Sequence, residues 1–163
     1  MSTLVEDFKA AFRGHPAGVA LITAQTADGP VGLTASSVAS VSVDPPALSF
    51  SVTKTEGSAG GVLAAPSFLV HLLGESHAPV AEAFARSGSP RFTPEQGWAA
   101  LSSGEPHLTD APVALRARAL SVVPSGSSRL VLAEVIGVHH GPTSPPLIYQ
   151  NRRFLSLLQT SHA

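Results

Sequence analysis

Short apolar runs joined by links too brief for crossover helices constrain this chain more than any other feature. About six or seven stretches read as strands, and helical signals are few. Parallel neighbours need connections of a dozen or more residues, so strands linked this closely pair antiparallel. Such a sheet leaves edges open to other chains, and closing it into a barrel, or nearly so, removes them. The expectation is a mainly β fold with a few short helices. It forms one domain over residues 1–163, long enough to bury a core without staples.

Thr3-Leu4-Val5-Glu6 has the form of a capping box, and Leu4, Val5, Phe8, Ala11 and Phe12 share one face of the helix it opens. Gly14, Pro16 and Gly18 end that helix. Val19–Thr26 reads as a strand, Asp28-Gly29 as a hairpin turn, and Val31, Leu33 and Ala35 as the returning strand. Residues 47–53, 67–73, 113–123, 129–138 and 147–149 read as further strands. Glu56–Ala65 and Pro79–Arg86 read as short helices, and Phe154–Leu158 as a closing segment against a neighbour. Residues 87–110 are rich in Ser, Gly and Pro without a period, with Phe92 and Trp98 as anchors.

Hydrophobic residues make up 44% of the chain and charged residues 13%, little charge with which to cover a surface. Part of the apolar surface is therefore expected to be covered in an oligomer. The net charge of −1 and the scattered basic residues give no footprint for nucleic acid or an anionic membrane. With no cysteine, disulfides, thiolate nucleophiles and thiolate-held metals are excluded, so redox chemistry would need a bound organic cofactor. The N-terminus carries acids where a secretion signal would be basic and then apolar, which makes the cytoplasm the expected compartment. His139-His140 falls on opposite faces of a strand and does not chelate one ion simply, so no metal site is expected.

Gly32-Leu33-Thr34-Ala35-Ser36-Ser37, followed by Ser42-Val43-Asp44-Pro45-Pro46, couples the end of a strand to hydroxyls, close main-chain donors and a rigid turn. Such a loop suits a phosphorylated planar ligand, although small polar runs are also common in ordinary turns. The segment resembles the flavin loop of the flavin reductase-like family with the FMN-binding split barrel. Pro16–Thr23, Phe50-Ser51-Val52 with Lys54 and Ser58, Phe68–Leu73, Val80–Ala85, Val131–Val135 and Pro146–Tyr149 continue the resemblance in order along the chain.

The resemblance implies an antiparallel, Greek-key-like split β-barrel. It also implies an NAD(P)H-dependent flavin reductase that moves hydride from nicotinamide to FMN, with FAD as an alternative flavin. A homodimer and a partner monooxygenase that receives reduced flavin are implied with it. Carried over by position, Thr34, Ala35, Ser36 and Ser37 would bond the isoalloxazine edge and ribityl chain. Ser51, Val52 and Lys54 would line the ribityl and phosphate region, and Ser58 would meet the phosphate at a helix start. Taken without the resemblance, Lys54 is a solvated lysine and Ser58 a plain first-turn residue. Hydride transfer needs stacking rather than an acid or base, so no catalytic side chain is singled out.

One turn departs from the family. Where it commonly carries Gly-Asp-His, this chain has Gly126-Ser127-Ser128-Arg129. Ser128 and Arg129 are candidates for the nicotinamide nucleotide, with Tyr149 and Arg152 beside Arg153 after the next strand. A strand-edge surface role for Arg129 stands at least level with that reading, and the Arg152-Arg153 pair reads first as a solvated C-terminal pair. The altered turn motivates a second reading, a flavin carrier or sensor without efficient reductase activity. A third is a related split barrel holding haem or a deazaflavin.

Overall fold

A computed structural model describes residues 1–157. Helix α1 (Leu4–Gly14) begins as the capping box requires: Glu6 N–H donates to the Thr3 hydroxyl (3.2 Å) and Thr3 N–H to the Glu6 carboxylate (2.8 Å). None of its residues is buried, so the face carrying Leu4, Phe8 and Phe12 is bare in a single chain.

Strands β1 (Ala17–Gly18), β2 (Ala20–Thr26), β3 (Gly29–Ala35), β4 (Ala39–Val43) and β5 (Pro46–Val52) follow, then helix α2 (Gly57–Ala64). Strand β6 (Phe68–Leu72) leads through a 3-10 turn into helix α3 (Ala78–Ala85). The remaining strands are β7 (Trp98–Ala100), β8 (Pro106–Leu108), β9 (Val113–Ser125), β10 (Ser128–His140), β11 (Leu147–Gln150) and β12 (Arg153–Ser156). Seven strands form one curled sheet in the order β3-β2-β6-β9-β10-β5-β4, with every neighbouring pair antiparallel. Strands β1, β11 and β12 make a small second sheet and β7 pairs with β8. The sheet is not closed, as a split barrel requires.

The period-two rule places the core. From β2, Ala20, Ile22 and Ala24 enter a cluster with Leu48, Phe50, Phe68, Val70 and Val131. Leu21 enters a second cluster, on the other face, with Leu73, Phe84, Leu108 and Leu147. Strand β2 is thus buried on both faces, which is why Ala20–Ala24 reads as an apolar run interrupted only by Thr23. Phe50 and Phe68 meet edge to face, with ring centroids 5.4 Å apart.

Twelve strands among the described residues exceed the expected six or seven. Residues 39–43, read as part of a polar loop, form the outermost strand β4 of the large sheet. Its Ala39-Ser40-Val41-Ser42-Val43 alternates, but the strand lies at the sheet edge with almost no burial and runs straight on from the polar loop. The region 87–110 is not without structure: it carries a 3-10 turn and the β7–β8 hairpin. Its Phe92 and Trp98 pack on Phe84, with centroid separations of 4.9 and 5.7 Å. The closing segment is strand β12 up to Ser156, and Leu158 lies outside the described residues.

His71 is wholly buried on β6. Its Nδ1 lies 2.9 Å from the Leu21 carbonyl, and its Nε2 accepts Leu108 N–H at 3.0 Å, which ties β8 to the barrel. That arrangement requires the neutral ring with its proton on Nδ1. Burial pushes its pKa down to about 4. On β10, His139 lies beside His107 (5.4 Å between rings) while His140 is exposed. Among the described residues, no three histidine or carboxylate side chains are grouped to hold a metal.

Candidate functional site

The curl of the sheet brings the end of β3 against the end of β5. Ser37 closes the seam: its hydroxyl accepts Ser51 N–H (2.9 Å) and donates to the Ser51 carbonyl (3.2 Å). A groove of about 610 Å³ opens there, lined by all the residues carried over for flavin: Thr34, Ala35, Ser36, Ser37, Ser51, Val52, Lys54 and Ser58. Positions up to 24 apart in sequence share one wall only because β3 and β5 converge.

Their side chains do not all face the groove freely. Ala35 and Val52 turn theirs into the core at 6% and 4% exposure, so what they offer a ligand is main chain. The Thr34 hydroxyl donates to the Ala81 carbonyl (2.6 Å), holding α3 against β3 and leaving its oxygen free only to accept. Gly32 permits that docking, because a Cβ there would lie 2.7 Å from the Phe84 ring.

The other end of the groove is cationic. Helix α2 starts at Gly57, and its cap Glu56 makes no side-chain bond to the first turn, so main-chain donors face outward beside Ser58. Gly57 has φ +59°, a conformation that favours glycine and sets the helix entry. At Gly61 a Cβ would come within 2.9 Å of Val31, so a bare backbone lets α2 lie close on β3.

Arg91 was missed by the sequence analysis and completes this end. Its guanidinium reaches the Ser58 hydroxyl (3.2 Å) and the carbonyls of Gly32 (3.3 Å), Arg86 (2.9 Å) and Phe84 (3.3 Å), and lies 5.4 Å from the Phe84 ring centroid. No local signal marks it, since it stands in a Ser-Gly-Pro stretch 33 positions from Ser58. A helix start, a hydroxyl and two cations against the single acid Glu56 give this end the chemistry that suits a phosphate. With its size and apolar Leu33, Ala59 and Phe84 walls, the groove fits a flavin mononucleotide.

A second cavity of about 590 Å³ adjoins the first, and Thr34, Ser36 and Ala85 line both. Tyr149 and Arg152 line it, with Arg153 and Phe154, and the two rings stand 5.3 Å apart. The Glu82–Arg86 ion pair (2.6 Å), also unforeseen, forms its far side. Ser128 and Arg129 line neither cavity. Arg129 pairs in register with Val52 at the rim of the groove, but its guanidinium turns back to the carbonyls of Gly126 (3.2 Å) and Ser128 (2.8 Å).

The sequence model of the flavin reductase-like domain matches residues 12–158. An NADH:FMN oxidoreductase of Rhodococcus qingshengii is 40% identical over 152 residues, 91% of this chain and 79% of that protein. The reductase component of 4-hydroxyphenylacetate 3-monooxygenase from Thermus thermophilus is 31% identical over 156 residues, 96% of this chain and 99% of that one. Among solved structures, the Streptomyces globisporus NADH:FAD oxidoreductase in complex with NAD and FAD fragments superposes with a TM-score of 0.84 at 26% identity, covering 92% of this chain and 90% of that one. With the split barrel and the two adjoining cavities already in place, the matched span is nearly the whole chain: it belongs to the flavin reductase-like family.

Proposed function

We propose that this protein is an NAD(P)H-dependent flavin reductase of the cytoplasm, acting as a homodimer and passing reduced flavin to a partner monooxygenase. The observation that carries the reading is the shared wall. A groove with a phosphate-binding end and a second cavity meet along Thr34, Ser36 and Ala85, so two planar ligands can stack where they join. Flavin in the groove would supply the two-electron acceptor for hydride from the nicotinamide.

The chain's own part is to bind and orient. Lys54, Arg91, Ser58 and the α2 start would hold the phosphate and so set how deep the ring system lies. Main chain at Ala35 and Val52, with the Ser36 hydroxyl, would bond the polar edge and ribityl chain. Phe84 and its Phe92–Trp98 backing keep the floor rigid. Proximity and alignment are what this reaction needs from a protein, and no proton-transfer side chain has to be found.

The deciding experiment is anaerobic. Protein loaded with FMN is mixed with NADH or NADPH, and the visible absorbance of oxidised flavin is followed. Rapid bleaching by either nucleotide is expected. Tight flavin binding without bleaching would replace the reductase by the carrier reading suggested by Gly126-Ser127-Ser128, and no flavin binding would remove both.

Uncovered apolar surface supports the homodimer. Phe8 and Phe12 on α1 are 61% and 60% exposed, and Leu120, Val123 and Leu130 at the far end of the β9–β10 ribbon stand about half exposed. Light scattering in solution is expected to return twice the chain mass, and a monomer at micromolar concentration would refute it. Among the described residues no helix is long and apolar enough to cross a membrane.

A further inference from the structure

The geometry points to Arg152 as the residue that grips a phosphate of the nicotinamide dinucleotide in the second cavity, with Arg153 beside it. This rests on the reductase reading and deepens it.

The first observation is conformational. Strands β11 and β12 are joined by the two-residue turn Asn151-Arg152, with φ values of 52° and 60°. Turns with both central residues left-handed favour Asn-Gly, because asparagine tolerates the first position and glycine the second. Asparagine fits here, whereas arginine occupies the place where glycine would be relaxed. A long side chain held in a disfavoured backbone region is a cue to function when it faces a cavity.

The second observation is placement. The turn is pinned: Asn151 N–H donates to the Arg13 carbonyl (2.8 Å) and the Gln150 amide to the Gly14 carbonyl (2.9 Å). Strand β1 pairs with β11 at Ala17 and Tyr149, fixing the hairpin against the barrel. Arg152 therefore projects from a rigid base into a cavity of about 590 Å³ that shares Thr34 and Ser36 with the flavin groove.

The third observation is charge. Arg86, in the same cavity, is neutralised by Glu82 at 2.6 Å. Among the described residues no carboxylate pairs with Arg152 or Arg153. Two unneutralised guanidinium groups beside a groove for a planar acceptor call for an anionic ligand. Guanidinium matches phosphate oxygens through paired hydrogen bonds. The dinucleotide offers such oxygens in its pyrophosphate and, in the phosphorylated form, at the 2′ position.

The test uses Arg152→Gly in FMN-loaded protein. Glycine relaxes the turn, so the variant should melt no lower than the parent and a binding defect cannot be blamed on misfolding. KM for the nicotinamide nucleotide is expected to rise roughly tenfold, with kcat at saturation retained. Calorimetric titration with NAD⁺ and NADP⁺ should show the same loss of affinity, and Arg152→Lys should recover part of it. An equal loss for both nucleotides assigns Arg152 to the pyrophosphate, and a loss confined to NADPH and NADP⁺ assigns it to the 2′-phosphate. Unchanged KM and affinity for both would overturn the inference. If the parent protein binds NAD⁺ or NADP⁺ but is not bleached by the reduced forms, the reductase reading falls while the calorimetry still decides the role of Arg152.

Discussion

Replacing Glu105 by leucine is expected to lower the free energy of unfolding by about 3 kcal/mol. That corresponds to roughly 6–12 °C in Tm for a chain of this size, read by calorimetry or urea titration. Glu105 is 2% exposed, yet its carboxylate is fully engaged. It accepts from Arg116 Nε at 2.8 Å and from the hydroxyls of Ser67 and Ser103, while Arg116 Nη2 also donates to Ser67 at 3.1 Å. The cluster ties the start of β6, the middle of β9 and the segment entering β8. Leucine would leave Arg116 Nε and the hydroxyls of Ser67 and Ser103 without their acceptor. Arg116 retains 30% side-chain exposure, so water softens the loss and the lower end of the range for broken buried pairs applies. Glutamine keeps an accepting oxygen and should cost less. A loss below about 1 kcal/mol for the leucine variant would show that the cluster is not a structural tie.

The same cluster sets part of the acid stability. Burial alone pushes the Glu105 carboxyl up, but the bonds from Ser103, Ser67 and Arg116 outweigh it and hold the folded pKa at about 2, against 4.5 in the unfolded chain. Between those values the unfolded state binds more protons, so stability falls as pH drops through that window. His71 acts just above it. Burial lowers its folded pKa from 6.5 to about 4, and the unfolded chain again takes up the proton first, so stability falls as pH drops from 6.5 to 4. His107, lowered by burial and by neighbouring His139, adds in the same direction. Urea midpoints measured across this range should fall in the parent protein throughout. In Glu105→Leu the dependence below about pH 4.5 should flatten.

Arg91→Ala is expected to weaken FMN binding tenfold or more, roughly the worth of a charged hydrogen bond, while riboflavin binding changes far less. Three carbonyls and the Ser58 hydroxyl hold the guanidinium in place without neutralising it, so its charge is already positioned where a phosphate would lie. Riboflavin lacks only that phosphate. Loss of the carbonyl bonds would loosen the segment around Arg91 for both ligands alike, so the ratio of the two affinities isolates the electrostatic part. Flavin fluorescence quenching measures both constants, and a ratio unchanged from the parent would remove Arg91 from the phosphate site.

Much of the barrel was legible along the chain because its signals are local. The capping box at Thr3 and Glu6, the Asp28-Gly29 hairpin and the alternation of Leu115, Ala117 and Ala119 with Arg116 and Arg118 in β9 depend on neighbours a few residues away. They therefore survive being read in one dimension. Strand β4 went unread because its alternating Ser and Val residues lie exposed at the sheet edge and merge with the polar loop before them, and the three-residue strands of the β7–β8 hairpin are held by pairing rather than by pattern.

The candidate site divides the same way. Hydroxyls and small side chains at a strand end marked Thr34–Ser37 locally as suited to a ligand, whereas Ser51, Val52, Lys54 and Ser58 were singled out by the family resemblance. Tertiary structure alone decided that Arg91 completes the cationic end, that Ala35 and Val52 contribute backbone, and that Arg129 turns away from both cavities while Arg152 projects into one. Each of those outcomes depends on where a distant strand or carbonyl lies once the sheet has curled. No residue carries that information in its own neighbourhood.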